Sequence, residues 1–328
     1  MTRVPTSHPF RFAVTLPPIQ GPIRRWVDAV REIEAMGFDT GVVADHFTQG
    51  YDTEPMVALT AAAMATERLR LQTGVLGVDY RHPVLVHRMA ATLDSVSEGR
   101  LTLGLGAGWM VSDYKAAGIA YDPASVRVSR LEETVAVVKG LFGPEPFSYS
   151  GEHYSVQGLR GLPQPVQRPH PPIFVGGGGP RMLRFAGREA DVIGINANLD
   201  KGELGRHAVV DFGEGPVHEK IRWAREGAER AGRDPGAIEL SMNSWLVRVV
   251  KRSSDAADLL ARIGSRFGVC ADLLAASPSV LVGTASYCID TLIARRDTFG
   301  INRFQLDAGL APADVGSLAP IVTALARN

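Results

Sequence analysis

The sequence predicts a single α/β domain, a (β/α)8 barrel of the TIM type, and three observations point to it. Short β-rich runs alternate with helical runs eight times along the chain. No Pro-, Gly- or Ser-rich linker near residue 150 divides the chain into halves. The length of 328 residues suits one large barrel with insertions. Such alternation means parallel strands joined by crossover helices. Two Rossmann-like halves would alternate too, but they need the linker that is missing. Residues 1–328 are therefore read as one barrel domain with insertions at about 144–167, 196–216 and 264–283.

Phe10–Leu16 is the first strand. Pro22–Met36 follows as an amphipathic helix with Ile23, Trp26, Val27, Val30 and Ile33 on one face, and Gly37 stops it. Thr40–Ala44 is the second strand, Pro55–Glu67 a helix and Leu69–Leu76 the third strand. Pro83 opens the next helix, where its missing N–H would have had no intrahelical partner. That helix ends near Glu98-Gly99, before the fourth strand, Leu101–Leu105. Val126–Phe142 is helical, with Leu131, Val135, Val138 and Leu141 as its buried stripe. The polar excursion that follows holds two alternating runs, Phe147–Tyr149 and His153–Val156, and reads as a hairpin. Pro172–Val175 is the fifth strand, Pro180 starts a helix, and Asp191–Ile195 is the sixth. Asn196–Gly213 shows no period and reads as a mobile insertion. Val217–Ala231 is helical, Ile238–Val249 a long seventh strand and Ala256–Ile263 a helix. After a variable stretch come the helix Ala285–Phe299, the last strand Arg303–Leu306 and the closing helix Val315–Ala326.

Composition narrows the function classes. The 35 basic residues balance 35 acidic ones, so no net basic field exists to hold nucleic acid. No run of about 20 apolar residues is present, and no membrane span is expected. Met1–Pro9 lacks the apolar core of a secretory leader, so a cytoplasmic location is expected. Cys270 and Cys288 are too few for a disulfide framework or a cysteine zinc site. No His-x-His, His-Glu-x-x-His or carboxylate cluster appears, and no metal is expected. A Gly-x-Ser-x-Gly hydrolase elbow is also absent.

In this fold the chemistry sits past the C-terminal ends of the strands. The second strand runs into Asp45-His46-Phe47, and a His beside an Asp there can move a proton near neutral pH. A capping Asp and a packed His would look the same. The third strand ends Thr73-Gly74-Val75, where a glycine suits either a β-bulge or close approach to a flat ring. The fourth leads into Gly104-Leu105-Gly106-Ala107-Gly108-Trp109, a small-residue wall under an indole, with Asp113 and Tyr114 beyond as reserve candidates. As a dinucleotide fingerprint it fails, because no long helix and no ribose-binding acid follow. His82 is a possible indirect contributor beside the third strand.

The strongest local signal is Gly176-Gly177-Gly178-Gly179-Pro180-Arg181. A strand, four glycines and a Pro-initiated helix put free N–H groups at a helix N-terminus, which is an anion site by geometry and dipole. Arg181 and Arg184 add charge nearby. No Lys-Ser/Thr pair follows, so it is not a P-loop.

Asp45-His46-Phe47, Thr73-Gly74-Val75, Arg81-His82-Pro83, the run from Leu93 to Leu101, Gly104 to Trp109 and Gly176 to Gly179 together resemble the bacterial luciferase-like superfamily. More narrowly they resemble its F420-dependent oxidoreductases. The resemblance covers about Phe10–Asn196 and resumes over Gly283–Phe304, leaving Asn198–Ser279 unmatched. It implies a barrel holding a deazaflavin or flavin at its mouth, and a homodimer. Asp45 and His46 would then meet the ring, Gly74-Val75 would form a bulge that is often a non-prolyl cis peptide, and Gly177–Gly179 would hold the cofactor phosphate. Thr73, Gly108, Gly176 and Arg181 join this cofactor-binding set, and Trp109 joins Asp45 and His46 as catalytic. Trp109 stands where the sugar-phosphate dehydrogenases of this group carry a glutamate, which disfavours a sugar phosphate. Three readings follow: an F420-dependent oxidoreductase acting on a small organic molecule, an FMN-dependent monooxygenase, and a non-catalytic flavin- or phosphate-binding barrel.

Overall fold

The computed structural model describes residues 8–48, 50, 53–199, 201–202, 205–306 and 315–326. Residues 1–7, where a leader would begin, lie outside them. Eight parallel strands close into a ring with helices between them. The ring starts with β1 (Arg11–Thr15), β2 (Thr40–Val43), β3 (Arg70–Thr73) with its short continuation β4 (Leu76–Gly77), and β5 (Leu101–Gly106). The antiparallel hairpin β6 (Phe147–Ser150) and β7 (Ser155–Leu159) projects before β8 (Ile173–Gly177). The next ring strands are β9 (Val192–Ile195) and β10 (Glu239–Ser244). Strands β11 (Leu246–Val249) and β12 (Val280–Gly283) form a separate parallel pair, and β13 (Arg303–Leu306) closes the ring onto β1.

The first-half helices are α1 (Ile23–Ala35), α2 (Pro55–Ala65), α3 (Pro83–Val96), the short α4 (Val111–Ala117) and α5 (Ala124–Phe142). The second half adds α6 (Pro180–Glu189), the short α7 (Arg206–Asp211) and α8 (Glu214–Arg230). It continues with α9 (Ser253–Phe267), the short α10 (Ala271–Ala275), α11 (Ala285–Phe299) and α12 (Val315–Leu325). Local chemistry sets several starts. Glu54 caps α2 by accepting from Val57 N at 2.7 Å, and the ring of His82 accepts from Val84 N at 3.3 Å before Pro83 opens α3. His82 therefore serves as a cap, edge-on to Tyr154. Among the described residues no helix is long and apolar enough to cross a membrane.

Three expectations change. The seventh strand is not continuous: Ile238–Val249 breaks at Trp245, and β11 leaves the ring to pair with β12. Ring strands here are only four to six residues long, so the surplus must pair elsewhere. The stretch from 264 to 283 accordingly holds α10 and β12, whose apolar side packs with α9 around Leu260, Leu274, Val280 and Val282. The aperiodic 196–216 stretch contains α7 and the start of α8.

The floor of the barrel carries a buried cation. Arg303, on the last ring strand, donates to Gln72 Oε1 at 2.6 Å and Thr40 Oγ1 at 3.2 Å, and lies 3.4 Å from Glu239 Oε2. A buried charge persists only when paired and hydrogen-bonded. Arg303 thereby ties four strands of the ring together at the end opposite the mouth.

Outside the ring, His87 of α3 is 1% exposed and packs on Phe142, with ring centroids 4.9 Å apart. Burial, and then the neighbouring charge of Arg88, push its pKa down to about 4. The folded protein thus holds it neutral while the unfolded chain titrates near 6.5. Its contribution is complete above pH 6.5 and is lost as pH falls toward 4, by up to about 3 kcal/mol. We predict that His87→Leu flattens this loss: in denaturant titrations the stability difference between pH 7 and pH 4.5 should shrink, and an unchanged difference would refute the assignment.

Candidate active site

The chain leaves β2 at the barrel mouth as Ala44-Asp45-His46-Phe47, and the two polar neighbours part there. Asp45 is buried and accepts from Gly77 N at 2.9 Å and from both terminal nitrogens of Arg81, at 2.5 and 3.0 Å. Arg81 also donates to Glu54 at 2.9 Å. Burial alone would lower the Arg81 pKa, but the bonds and charge of Asp45, and then of Glu54, raise it. Both Asp45 oxygens are engaged, so this carboxylate anchors the β2 exit to the β4 segment. The sequence set Asp45 beside His46 as catalytic candidates, and the structure gives the His46 ring a carboxylate partner from another element.

That partner is Asp113. His46 Nδ1 lies 2.6 Å from Asp113 Oδ2, while Asp113 Oδ1 accepts from Phe47 N at 3.1 Å. Asp113 is fully buried in the first turn of α4, where a negative charge also meets the positive end of the helix. A carboxylate on one ring nitrogen fixes the tautomer and plane of an imidazole and stabilises its protonated form. Asp113 and His46 lie 67 residues apart in sequence, with β3 between their strands in the ring. No spacing rule marks such a pair.

Trp109 stands edge-on to His46, with ring centroids 5.8 Å apart and planes at 82°. Its loop is held from behind. Tyr121 Oη donates to the Trp109 carbonyl at 3.1 Å, and Arg127 donates to the carbonyls of Gly108 and Ala107 while lying 4.1 Å over the Tyr121 ring. Gly108 has φ +71, and a Cβ there would collide with the Tyr114 hydroxyl, so only glycine serves. Tyr114 is buried and donates to Asp79 Oδ2 at 2.7 Å. Burial, then the Asp79 bond and charge, push its pKa well above the tyrosine range and keep it a donor. Gly108 thus places the Trp109 loop on a tyrosine support.

The third strand is interrupted where the sequence placed a bulge. The Gly74–Val75 peptide is cis, β3 stops at Thr73, and the strand resumes as β4. The buried Thr73 hydroxyl donates to Gly104 O and accepts from Gly104 N, at 2.8 Å each. A Cβ at Gly104 would strike the Thr73 carbonyl, and one at Gly106 would strike the Val75 side chain. The Thr73 side chain is therefore committed to β5.

At the end of β8 most of the glycine run has a packing cause. A Cβ at Gly176 would approach Asn196 Nδ2, at Gly177 it would meet Met182, and at Gly178 it would run into the Ala197–Asn198 backbone. Only Gly179 faces open space, and it caps α6 with no side-chain hydrogen bond. Of the four glycines, Gly179 alone has no such packing reason, and it stands at the start of α6. Arg181 is turned away from it. It is exposed and bonds Glu132, Ser125 O and Ser129 on α5, while Arg184 pairs with Glu226 at 3.1 Å. The spare cations expected behind the turn are both spoken for.

Among the described residues, no three His, Cys, Asp or Glu side chains gather as a metal site requires. His46, Trp109, the Gly74–Val75 peptide and Gly179 instead lie at or just past the C-terminal ends of β2, β5, β3 and β8, around one mouth.

Comparison with known proteins places this geometry. The chain is 32% identical over 238 residues to an F420-dependent glucose-6-phosphate dehydrogenase of Intrasporangium calvum, covering 68% of this chain and 70% of the relative. It is 29% identical over 213 residues to an FMNH2-dependent dimethylsulfone monooxygenase of Pseudomonas putida, covering 60% of this chain and 58% of that enzyme. The match to the latter therefore spans less than two thirds of its length. Among solved structures, an F420-dependent secondary alcohol dehydrogenase in complex with an F420–acetone adduct superposes with a TM-score of 0.77 at 20% identity, covering 97% of this chain and 98% of that one. A monooxygenase from Streptomyces bottropensis gives 0.74 at 23%, covering 96% and 97%. These two likenesses establish the barrel alone. The family model for luciferase-like monooxygenases matches residues 2–273, and the chain belongs to that family.

Proposed function

We propose that this protein is an F420-dependent oxidoreductase that moves a hydride between the deazaflavin and a small organic alcohol or carbonyl compound. One observation carries the reading: a fully buried Asp113 holds His46 at 2.6 Å at the mouth. Interconverting an alcohol and a carbonyl moves a proton at oxygen together with the hydride, and an oriented imidazole is the group for that task. The residues present also fit the cofactor's shape. Gly179 opens an uncapped helix start for a phosphate, and the β3 break offers backbone rather than bulky side chains beside a flat ring. When bound, the deazaflavin supplies two-electron hydride chemistry at C5. His46 then gives or takes the substrate proton, Asp113 stabilises the imidazolium, and Trp109 walls the substrate side with an apolar face. With an indole where the sugar-phosphate enzymes carry a glutamate, the substrate is an apolar organic molecule rather than a sugar phosphate.

His46→Ala should lower turnover by about 10²–10⁴ with cofactor affinity nearly intact. Asp113→Asn should lose less and shift the pH profile of kcat, because the imidazolium loses its counter-charge. Full activity in the His46 variant would remove the mechanism. Turnover that requires oxygen and reduced FMN would move the assignment to the monooxygenase reading.

The phosphate position has its own test. Asp is a better helix cap than Gly by a few tenths of a kcal/mol, so Gly179→Asp should hold or raise the melting temperature. Its carboxylate would occupy the anion position, and binding of the phosphorylated cofactor should weaken at least tenfold while phosphate-free deazariboflavin is unaffected. Equal weakening of both ligands would place the phosphate elsewhere.

We also propose that two copies pair through α2 and α3. Helix α2 carries no charged residue, and it exposes Val57 (67%) and Met64 (73%) beside Leu85 (53%) of α3. Helix α1, by contrast, presents Arg24, Arg25, Asp28, Arg31 and Glu32. Two helices of 11 and 14 residues extend about 17 and 21 Å. Stacked on a two-fold copy, such a face would bury these apolar side chains in an isologous contact. Sedimentation should show a dimer that Met64→Lys converts to monomer; a monomeric parent protein would end the proposal.

A further inference from the structure

We infer that the cleft formed by Lys201, Arg206 and His207 binds the oligocarboxylate tail of the cofactor, an inference that rests on the F420 reading above. The cleft encloses about 620 Å³ and is lined by these three residues together with Val210, Asp211 and Pro216. Four observations carry the argument. First, the cleft adjoins the phosphate position. Gly178 packs on the Ala197–Asn198 backbone, and Asn198 N donates at 2.6 Å to Asp211 in the cleft wall. Second, its cations are available: among the described residues neither Lys201 nor Arg206 pairs with a carboxylate, and both are exposed. Third, Nε2 of His207 is buried with no hydrogen-bond partner among the described residues. Fourth, Asp211, the acid among the described lining residues, is neutralised. The buried Lys220 ammonium donates to Asp211 Oδ2 at 2.6 Å and to Asp211 O at 2.5 Å. The described lining of the cleft is thus net cationic, and it is joined by one hydrogen bond to the Asn198 segment that lies against the glycine turn.

F420 extends past its phosphate into lactyl and glutamyl carboxylates, whereas FMN ends at the phosphate. A chain leaving Gly179 toward Arg181 or Arg184 meets cations already held by Glu132 and Glu226. Toward Asn198 it meets Lys201 and Arg206, which pair with no carboxylate among the described residues. Carboxylates are therefore drawn to the 201–207 side, and the cleft is the feature of this chain that separates a tailed deazaflavin from a flavin mononucleotide. An anionic substrate would offer similar carboxylates, so the test is run as equilibrium binding with no substrate present.

Three probes separate ring, phosphate and tail: F420 carrying several glutamates, the same deazaflavin ending at its 5′-phosphate, and FMN. The wild-type protein should bind F420 about five- to thirtyfold more tightly than the tail-less phosphate, since exposed ion pairs contribute modestly. That advantage should fall sharply between 50 and 500 mM salt as screening shortens the reach of each charge. Lys201→Ala/Arg206→Ala should reduce it to within twofold while leaving the affinity for the tail-less phosphate and the melting temperature unchanged. An advantage kept in the double variant, or absent from the wild type, overturns the cleft assignment. The cofactor reading fails separately, and is seen in the other comparison: FMN binding more tightly than the tail-less deazaflavin.

Discussion

The hydroxyl of Thr73 is the contact around which the mouth of this barrel is built. A ring of strands must pair all the way round, yet β3 stops at Thr73 and resumes only at Leu76. Across that gap the Thr73 side chain replaces the missing ladder, donating to and accepting from Gly104 at 2.8 Å. A side chain used as backbone in this way requires its partner strand to come close, and the glycines at 104 and 106 allow it. The detour carries Gly77 N to Asp45 and brings Arg81 over the same carboxylate. The geometry of the β2 exit, and with it the placement of His46, rests on that closure.

Adjacent residues at that exit have separate electrostatic tasks. Asp45 is bound bidentately by a guanidinium and by a backbone N–H, an arrangement that holds a buried charge in place. Asp113, equally buried, faces an imidazole, whose charge can change. Anchoring the β2 exit and orienting the His46 ring thus fall to different carboxylates.

The glycine-rich segments show a similar division. At Gly176, Gly177 and Gly178 the absent side chain makes room for Asn196, Met182 and the Ala197–Asn198 backbone, which brings the segment after β9 against the end of β8. Gly179 alone keeps an open position at the start of α6. Close packing and an open helix start therefore meet within four residues. The 197–211 segment, pinned by Asn198 and Lys220 to Asp211, connects that turn to the cationic cleft.

The sequence by itself determined the ring strands, the helices between them and the candidates at the strand ends, because each of these is written in local periodicity and turn chemistry. His46, Trp109 and the glycine turn were legible for that reason. The tertiary structure alone decided which acid serves His46, since Asp113 reaches it across β3 from a helix 67 residues away. It alone decided that Asp45 is anchored and Arg181 is paired, because hydrogen-bond partners on other elements leave no trace in spacing. It also decided that the Ile238–Val249 run splits between two sheets: the alternation that makes a strand does not say where a closed ring ends and a second sheet begins.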